Sequence, residues 1–506
     1  MKLSVRAALA GIASAGVALG IAEVVAVFTG PLSSPLLAVG GVVVDNVPAA
    51  VKDAGIAIFG THDKTALIIG TALLLAGYAA LLGVLAVRRR VVALAGIVLF
   101  GAVGVVAALT RHDAGVTAAL PTIVGAAAAV PVLRYLVELA ARAEPAESPT
   151  THQEGGRRRF LIAVGVAAGA AAVGGFGGRL LTSRRAVTEA REAVVLPSPA
   201  QPAPAVPAGA QAEGAVSYVT ANDDFYRIDT ALYPPQIDPS TWELRIHGMV
   251  RNPITLTWEQ LLQRPMVARY VTLACVSNEV GDDLIGNALW LGTPIKALLD
   301  EAQPLPDADQ VVQRSADGWT CGSPTAVLRD GRDALLAIGM NGQPLPVRHG
   351  FPVRMVVPGL YGYVSACKWI TEIELTRFAD FDAYWVPRGW AAQAPIKTES
   401  RIDTPRDGAR RPAGRVTVAG VAWAQHRGIE RVEIQIDNGP WAAATLAPSV
   451  SADTWAQWSY PWQATAGEHT VRVRATDKNG QTQTGTPAPP APDGATGWHS
   501  VQVTVD

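Results

Sequence analysis

Residues 270–281 read Tyr270-Val-Thr-Leu-Ala-Cys-Val-Ser-Asn-Glu-Val-Gly281. The first five residues are β-branched, aromatic or small and apolar, as a half-buried strand requires. The strand signal stops at Cys275, and Ser277-Asn278 supplies turn chemistry immediately after it. A thiol is thus delivered to the mouth of a strand, beside a loop of small and amide side chains. A thiolate there is a soft donor suited to a metal ion. A cysteine closing an apolar run also serves as a small buried hydrophobe, and this stretch alone leaves both readings open.

The surrounding chain narrows the choice. It has 506 residues, too many for one core, with 49% hydrophobic and 17% charged residues and a net charge of -1. Near-neutral charge gives no sign of a nucleic-acid partner. The three cysteines, Cys275, Cys321 and Cys367, have neither CxxC nor CxxCH spacing. That pattern argues against a zinc site, an iron–sulfur cluster or covalent haem.

The apolar excess lies before residue 180. Val5–Phe28, Thr65–Val87, Val91–Leu109, Gly115–Leu136 and the small-residue run Phe160–Gly178 are each long enough to cross a bilayer. Residues 35–60 are apolar but broken by Asp45, Pro48, Lys52 and Asp53, which suits an interfacial or re-entrant helix. Lys2 and Arg6, Arg88–Arg90 and Arg157–Arg159 all fall on one side if there are five crossings. That side is expected to be cytoplasmic, leaving everything after residue 180 outside. Arg157-Arg-Arg-Phe-Leu161 followed by a mild apolar run also resembles an internal twin-arginine export signal retained as an anchor; a positive-inside flank is the simpler reading. His62 and His112 fall at loop positions, so no intramembrane histidine pair is expected to hold a haem. Gly11, Ala13, Gly16 and Gly20 suit close helix packing, and the plainest role for residues 1–180 is a membrane anchor in contact with lipid.

Pro197, Pro199, Pro202, Pro204 and Pro207 mark residues 181–215 as an extended linker. From 216 to 404 the texture is α+β. Strands are expected at Trp242–Ile246, Val267–Leu273, Val353–Val357 and Trp369–Leu375, with short helices at Thr257–Gln263 and Pro294–Leu299. Residues 405–506 alternate as an all-β, immunoglobulin-like sandwich with strands near Val416–Ala424, Ile429–Ile436, Thr454–Tyr460 and Glu468–Thr476. Asn-Gly turns stand at Asn438-Gly439 and Asn479-Gly480.

Asn341-Gly-Gln-Pro-Leu-Pro346, His349-Gly-Phe-Pro-Val-Arg-Met-Val-Val-Pro-Gly359, Tyr361-Gly362 and Cys367-Lys-Trp-Ile370, taken with Cys275-Val-Ser-Asn278, closely resemble the sulfite oxidase family of molybdopterin enzymes. The resemblance covers residues 216–506 and implies a molybdopterin domain followed by a dimerisation-type sandwich. It implies Cys275 as the molybdenum ligand, with Asn278 orienting it. His349, Arg354 and Lys368 match pterin-binding positions, with backbone groups of Ala366 and Cys367 beside them; Arg354 alone would read as a surface strand charge. Thr220–Asp229 resembles the family's first pterin-contact motif, through Phe225, Tyr226 and Arg227 and also Asn222. Ser315–Gly318 resembles a mid-domain contact, through Asp317. Cys321 is assigned to packing, and Asp282-Asp283 to a solvated turn or an electrostatic role.

The departures concern substrate. Trp390 stands where sulfite oxidases carry an active-site tyrosine, and Glu279 and Asp282 occupy a rim where a basic residue is expected. An acidic rim repels a small dianion such as sulfite. Trp385, Trp390 and Tyr361 read equally as site or core. The resemblance implies a molybdenum–molybdopterin oxidoreductase that moves an oxygen atom to or from a small molecule and exchanges electrons with a quinone or a redox protein. Two alternatives are a methionine sulfoxide reductase-like enzyme acting on sulfoxides or N-oxides, and a cofactor-free binding module.

Overall fold

The computed structural model describes residues 2–30, 33–47, 51, 58, 63–110, 115–142, 153–177 and 183–506. It divides into two units, Met1–Glu189 with Thr230–Gln236, and Ala190–Asp229 with Ile237–Asp506.

The first unit is built from helices α1 (Leu3–Thr29), α2 (Pro35–Asn46), α3 (Asp63–Arg88), α4 (Arg90–Leu109), α5 (Leu120–Arg142) and α6 (Gln153–Ala172). Among the described residues five helical stretches are long and apolar enough to cross a membrane: Leu3–Thr29, Ala66–Arg88, Arg90–Leu109, Val116–Arg142 and Arg158–Gly175. They overlap the five apolar runs picked out in the sequence. Leu73, Leu74, Val91 and Leu99 are exposed, which in water would be unfavourable and in lipid is natural. The helices pack through small residues. A Cβ on Gly11 would stand 1.9 Å from the Ala79 carbonyl oxygen, and one on Gly83 would stand 2.1 Å from that of Ala7, so α1 and α3 touch backbone to backbone. With 12 residues, α2 rises only about 18 Å, short of the ~30 Å hydrocarbon core. Pro48, Lys52, Asp53, His62 and His112 lie outside the described residues. Glu23, which the sequence reading passed over, is buried on α1 and accepts a hydrogen bond from Ser34 Oγ at 2.5 Å.

Helix α7 (Ser183–Ala193) was not expected; the sequence reading gave this stretch to the linker. The proline-rich segment after it is extended yet docked. Ala200 N donates to Met266 O at 2.8 Å, Ala268 N donates to Gln201 O at 2.9 Å, and Ala210 is fully buried. Its apolar side chains join the core of the second unit, which corrects the image of a free spacer.

The second unit carries strands β1 (Glu243–Gly248), β2 (Ile254–Thr257), β3 (Val267–Ala274), β4 (Ile285–Pro294), β5 (Gln310–Ser315), β6 (Thr320–Pro324), β7 (Leu335–Met340), β8 (Gln343–Pro344), β9 (Arg354–Val356) and β10 (Ile370–Thr376). One sheet runs β2-β1-β10-β5-β6; another runs β3-β4-β7-β8, with β9 on β7. Helix α8 (Trp258–Leu262) begins at the expected threonine: Thr257 and Gln260 form a reciprocal capping box. Helix α9 (Ile295–Ala302) buries Ile295, Leu298, Leu299 and Ala302 at helical spacing.

The C-terminal sandwich comprises β11 (Glu399–Thr404), β12 (Ala409–Arg411), β13 (Gly414–Trp423), β14 (Ile429–Ile436), β15 (Ala442–Ala443), β16 (Thr445–Leu446), β17 (Ala456–Ala464), β18 (Gly467–Asp477) and β19 (Ser500–Val505). Its sheets are β11-β13-β17-β16 and β12-β19-β18-β14-β15. Alternation along β13 and β17 buries Val416, Val418, Trp458 and Trp462 between them. Val421, Trp423 and Trp455 belong instead to the core of the α+β part, so the sandwich is continuous with it.

Candidate active site

Strand β3 ends at Ala274, paired with Ile285, and Cys275 follows directly. Cys275 N donates to Leu284 O at 2.9 Å, which closes the loop between β3 and β4. Asn278 clamps that loop: its N–H donates to Cys275 O at 3.2 Å and its Oδ1 accepts from Leu284 N at 2.8 Å. Asn278 is 4% exposed, and its Nδ2 has no partner. Burial pushes the Cys275 thiol up from its ordinary pKa, opposed by the Ser277 N–H and the charge of Lys368.

Phe225 forms the adjoining wall. It packs against Gly286, where a Cβ would stand 2.7 Å from the ring; Gly286 pairs with Leu273 two residues before the cysteine. Phe225 stacks on Tyr226 at 5.2 Å and meets Trp290 and His349 edge-on, each at 5.7 Å. A Cβ on Gly362 would be 3.8 Å from both Tyr226 Oη and Ala274 O, so the tyrosine hydroxyl converges on the cysteine's strand. Burial, then the nearby Cys275, raises the Tyr226 pKa.

The cationic side adjoins this wall through Trp290 and His349. Arg354 is 5% exposed; its Nη1 donates to His349 O at 3.1 Å and its guanidinium lies 5.0 Å from the Trp290 ring centre. No carboxylate pairs with it among the described residues. Burial lowers its pKa to about 10, so it stays charged at neutral pH. His349 Nε2 lies 2.9 Å from Asn222 O, which can only accept, so Nε2 carries the proton and Nδ1 is an acceptor. Burial, then the charge of Arg354, holds His349 down at about 3. With its one donor used on Asn222 O, His349 presents Nδ1 to the site as an acceptor. Asn222 is held in place by Asn341 Nδ2, which donates to its Oδ1 at 2.9 Å.

Other expected contacts have partners within the protein. Lys368 Nζ donates to Ile228 O at 3.1 Å and Asp229 Oδ2 at 3.0 Å, so its charge is matched within the protein. Arg227 is half-exposed and 3.6 Å from Asp229. Ala366 N donates to Gly362 O at 2.9 Å and Cys367 N to Gln313 Oε1 at 3.4 Å, so these amides are engaged internally. Asp317 Oδ1 accepts from Trp319 N at 3.1 Å and closes its own turn. Cys321 is fully buried against Cys367, as a packing residue should be. The aromatic expectation is corrected in part: Tyr363, not Tyr361, meets Trp390, at 5.7 Å.

The sequence reading missed the sandwich's share of the site. His499 sits on Gly281, where a Cβ would be 2.3 Å from its Cδ2, and Arg401 Nη1 donates to Asp282 O at 2.8 Å. Glu279, Asp282 and Asp283 face solvent on the same loop. No local motif announces His499 or Arg401; only the long-range packing of β11 and β19 brings them here.

The site therefore offers a thiol, an orphan amide donor and an unpaired buried guanidinium within one cradle. This donor set fits a soft metal whose organic chelator carries a phosphate. Residues 231–385 match the family model described as "Oxidoreductase molybdopterin binding domain", and residues 399–473 match "Bacterial Ig domain". The chain is 28% identical to sulfite oxidase of Gallus gallus over 324 residues, covering 54% of this chain and 70% of that protein. It is 28% identical to mitochondrial sulfite oxidase of Homo sapiens, and spans 58% of that protein's length. It is 30% identical to YuiH, an uncharacterized oxidoreductase of Bacillus subtilis, covering 32% of this chain and 79% of that one. The crystal structure of the sulfane dehydrogenase SoxCD from Paracoccus pantotrophus has the same fold, with TM-score 0.50 and 21% identity over 57% of this chain and 83% of its own. Fold and site together define a molybdopterin-binding oxidoreductase. The chain belongs to the sulfite oxidase family and uses a molybdenum–molybdopterin cofactor.

Proposed function

We propose that this is a membrane-anchored oxidoreductase, working outside the cytoplasm, that moves an oxygen atom between a small uncharged molecule and water while a separate carrier gives or takes the two electrons. The carrying observation is Arg354, a buried guanidinium packed on Trp290 and His349 that has no carboxylate partner among the described residues. Such a charge is unfavourable in the bare protein and becomes favourable when an anionic group meets it.

In this reading Cys275 is the protein's ligand to molybdenum and Asn278 Nδ2 donates toward the metal's ligands. Arg354 and Phe225 hold the pterin, with Tyr226, His349 and Asn222 shaping its cradle. Lys368, Arg227, Asp317, Ala366 and Cys367 support it from behind. When bound, the cofactor supplies two-electron oxygen-atom-transfer chemistry. The protein's own task is to orient it, exclude water and manage protons. The exposed Glu279, Asp282 and Asp283 disfavour sulfite and favour neutral sulfoxides or N-oxides.

The five apolar helices, with arginine clusters at Arg88–Arg90 and Arg157–Arg159, support an anchor with its basic side in the cytoplasm. The electron partner is a quinone or a redox protein. The sandwich offers a surface for a homodimer. Metal analysis of the purified full chain, with assays of sulfoxide and N-oxide reduction run beside sulfite oxidation, tests the reading. Folded chain without molybdenum, or sulfite as the one substrate turned over, would overturn it.

A further inference from the structure

Glu399, the first residue of β11, is 5% exposed, and its Oε1 has no hydrogen-bond partner. Its cross-strand partner is Trp423, 1% exposed, whose Nε1 is also unpartnered. Two orphaned polar atoms on one face of a sheet are unusual in a native core and call for a cause. The cause is visible in the neighbours. Tyr361, 3% exposed, has Glu399 as its foremost electrostatic neighbour, and Asp493 and the Cys275 thiol as further ones. The Tyr361 hydroxyl lies under Gly494, where a Cβ would be 2.6 Å away. Next to it Lys397 Nζ donates to Asp493 Oδ1 at 2.8 Å and Gly494 O at 2.6 Å, and Asp493 is half-exposed. Asp493 and Lys397 thus share one neighbourhood with the Tyr361 phenol and lead toward the buried Glu399 carboxyl, while Gly362, next to Tyr361 in the chain, faces the carbonyl of Ala274 just before the cysteine of the site.

We propose that Glu399 is the proton-holding residue of this active site, acting through Tyr361 as a positioning residue. The inference rests on the reading of the site given above. Removing oxygen from an S- or N-oxide breaks one bond to oxygen, takes two electrons from the separate carrier and two protons, and releases water. Glu399 keeps one of those protons at Oε1 and is refilled from solvent along the Asp493 side. Oxidation of a substrate runs the same balance backwards. Burial raises the Glu399 carboxyl to about 8, against the pull of Lys397, so it holds its proton at neutral pH. Lys397, two residues before the strand, is turned to Asp493, and no cation pairs with Glu399 among the described residues.

An infrared titration of the full chain tests this directly. A protonated-carboxyl band is expected that disappears with a midpoint near 8 and is missing in Glu399→Gln. In a dimethyl sulfoxide reduction assay driven by a reduced viologen dye, Glu399→Gln should lower kcat by about 10²-fold and remove the alkaline limb of its pH profile. Glu399→Asp should keep a shifted limb, with molybdenum content equal in all three proteins. An unchanged band in Glu399→Gln, or a Glu399 ionised well below neutral pH, overturns the proposal. Wild-type protein that lacks molybdenum would overturn the functional reading instead, while the infrared band still decides the state of Glu399.

Discussion

Gly350 stands so close to Arg354 that a Cβ on the glycine would lie 3.0 Å from the arginine's own Cβ and 3.2 Å from that of Lys368. Its φ of 112° lies in the left-handed region that side chains avoid. The glycine lets the turn after His349 fold back onto β9 and bring two cations together. Gly350→Ala is expected to cost about 1–3 kcal/mol of stability, from strain and crowding together. Thermal unfolding should show this, with a parallel loss of bound molybdenum.

Arg354 separates the bare protein from the loaded one. In Arg354→Met the buried, uncompensated charge disappears, so the cofactor-free protein should be as stable as wild type or more so. Cofactor affinity should fall by about 10- to 100-fold, from loss of a charge-assisted contact of roughly 1.5–3 kcal/mol. Calorimetry of apoprotein and pterin analysis of purified chain read the two effects separately.

His349 makes the apoprotein acid-sensitive. Its pKa is about 3 when folded and near 6.5 when unfolded, so between these values the unfolded chain binds the extra proton. Its contribution to stability is complete above about 6.5 and is lost progressively as pH falls toward 3. Glu399 has the opposite sign. Its carboxyl holds a proton in the fold up to about 8, so its effect erodes stability as pH rises from the unfolded value near 4.5. Melting temperatures against pH should flatten on the acid side in His349→Gln and on the alkaline side in Glu399→Gln.

The anchor gives an orientation prediction. A reporter active only outside the cytoplasm, fused after residue 195, should be active. Replacing Arg88, Arg89 and Arg90 with Gln should lower that activity, because these charges hold their loop inside. Unchanged activity would assign the topology to other signals.

Much of this was readable in the chain because local physics decided it. The five apolar runs were found within a few residues, since length and composition alone define a span. The strand ending at Cys275, the Thr257 cap and β14 were found because alternation and capping are local signals. Tyr361, Trp385 and Trp390 read as one aromatic cluster in the sequence; Trp385 does meet Trp390, and Tyr363, two residues beyond Tyr361 within a short turn, supplies the tyrosine. Lys368 stands at a position that matches pterin binding, and nothing local shows that Asp229, 139 residues away, reaches it. Glu399 and His499 were silent for the same reason. Their roles arise from the sandwich closing over the 275–284 loop, a contact of high sequence separation that no short motif encodes.

The most direct measurement is X-ray absorption at the molybdenum edge on the purified full chain, beside the Cys275→Ser variant. Wild-type protein should show one protein sulfur bound to molybdenum in addition to the dithiolene sulfurs. The variant should lose that sulfur and its turnover while its melting temperature stays close to wild type. Identical sulfur coordination in the two proteins would contradict the assignment of Cys275 and the site built around it.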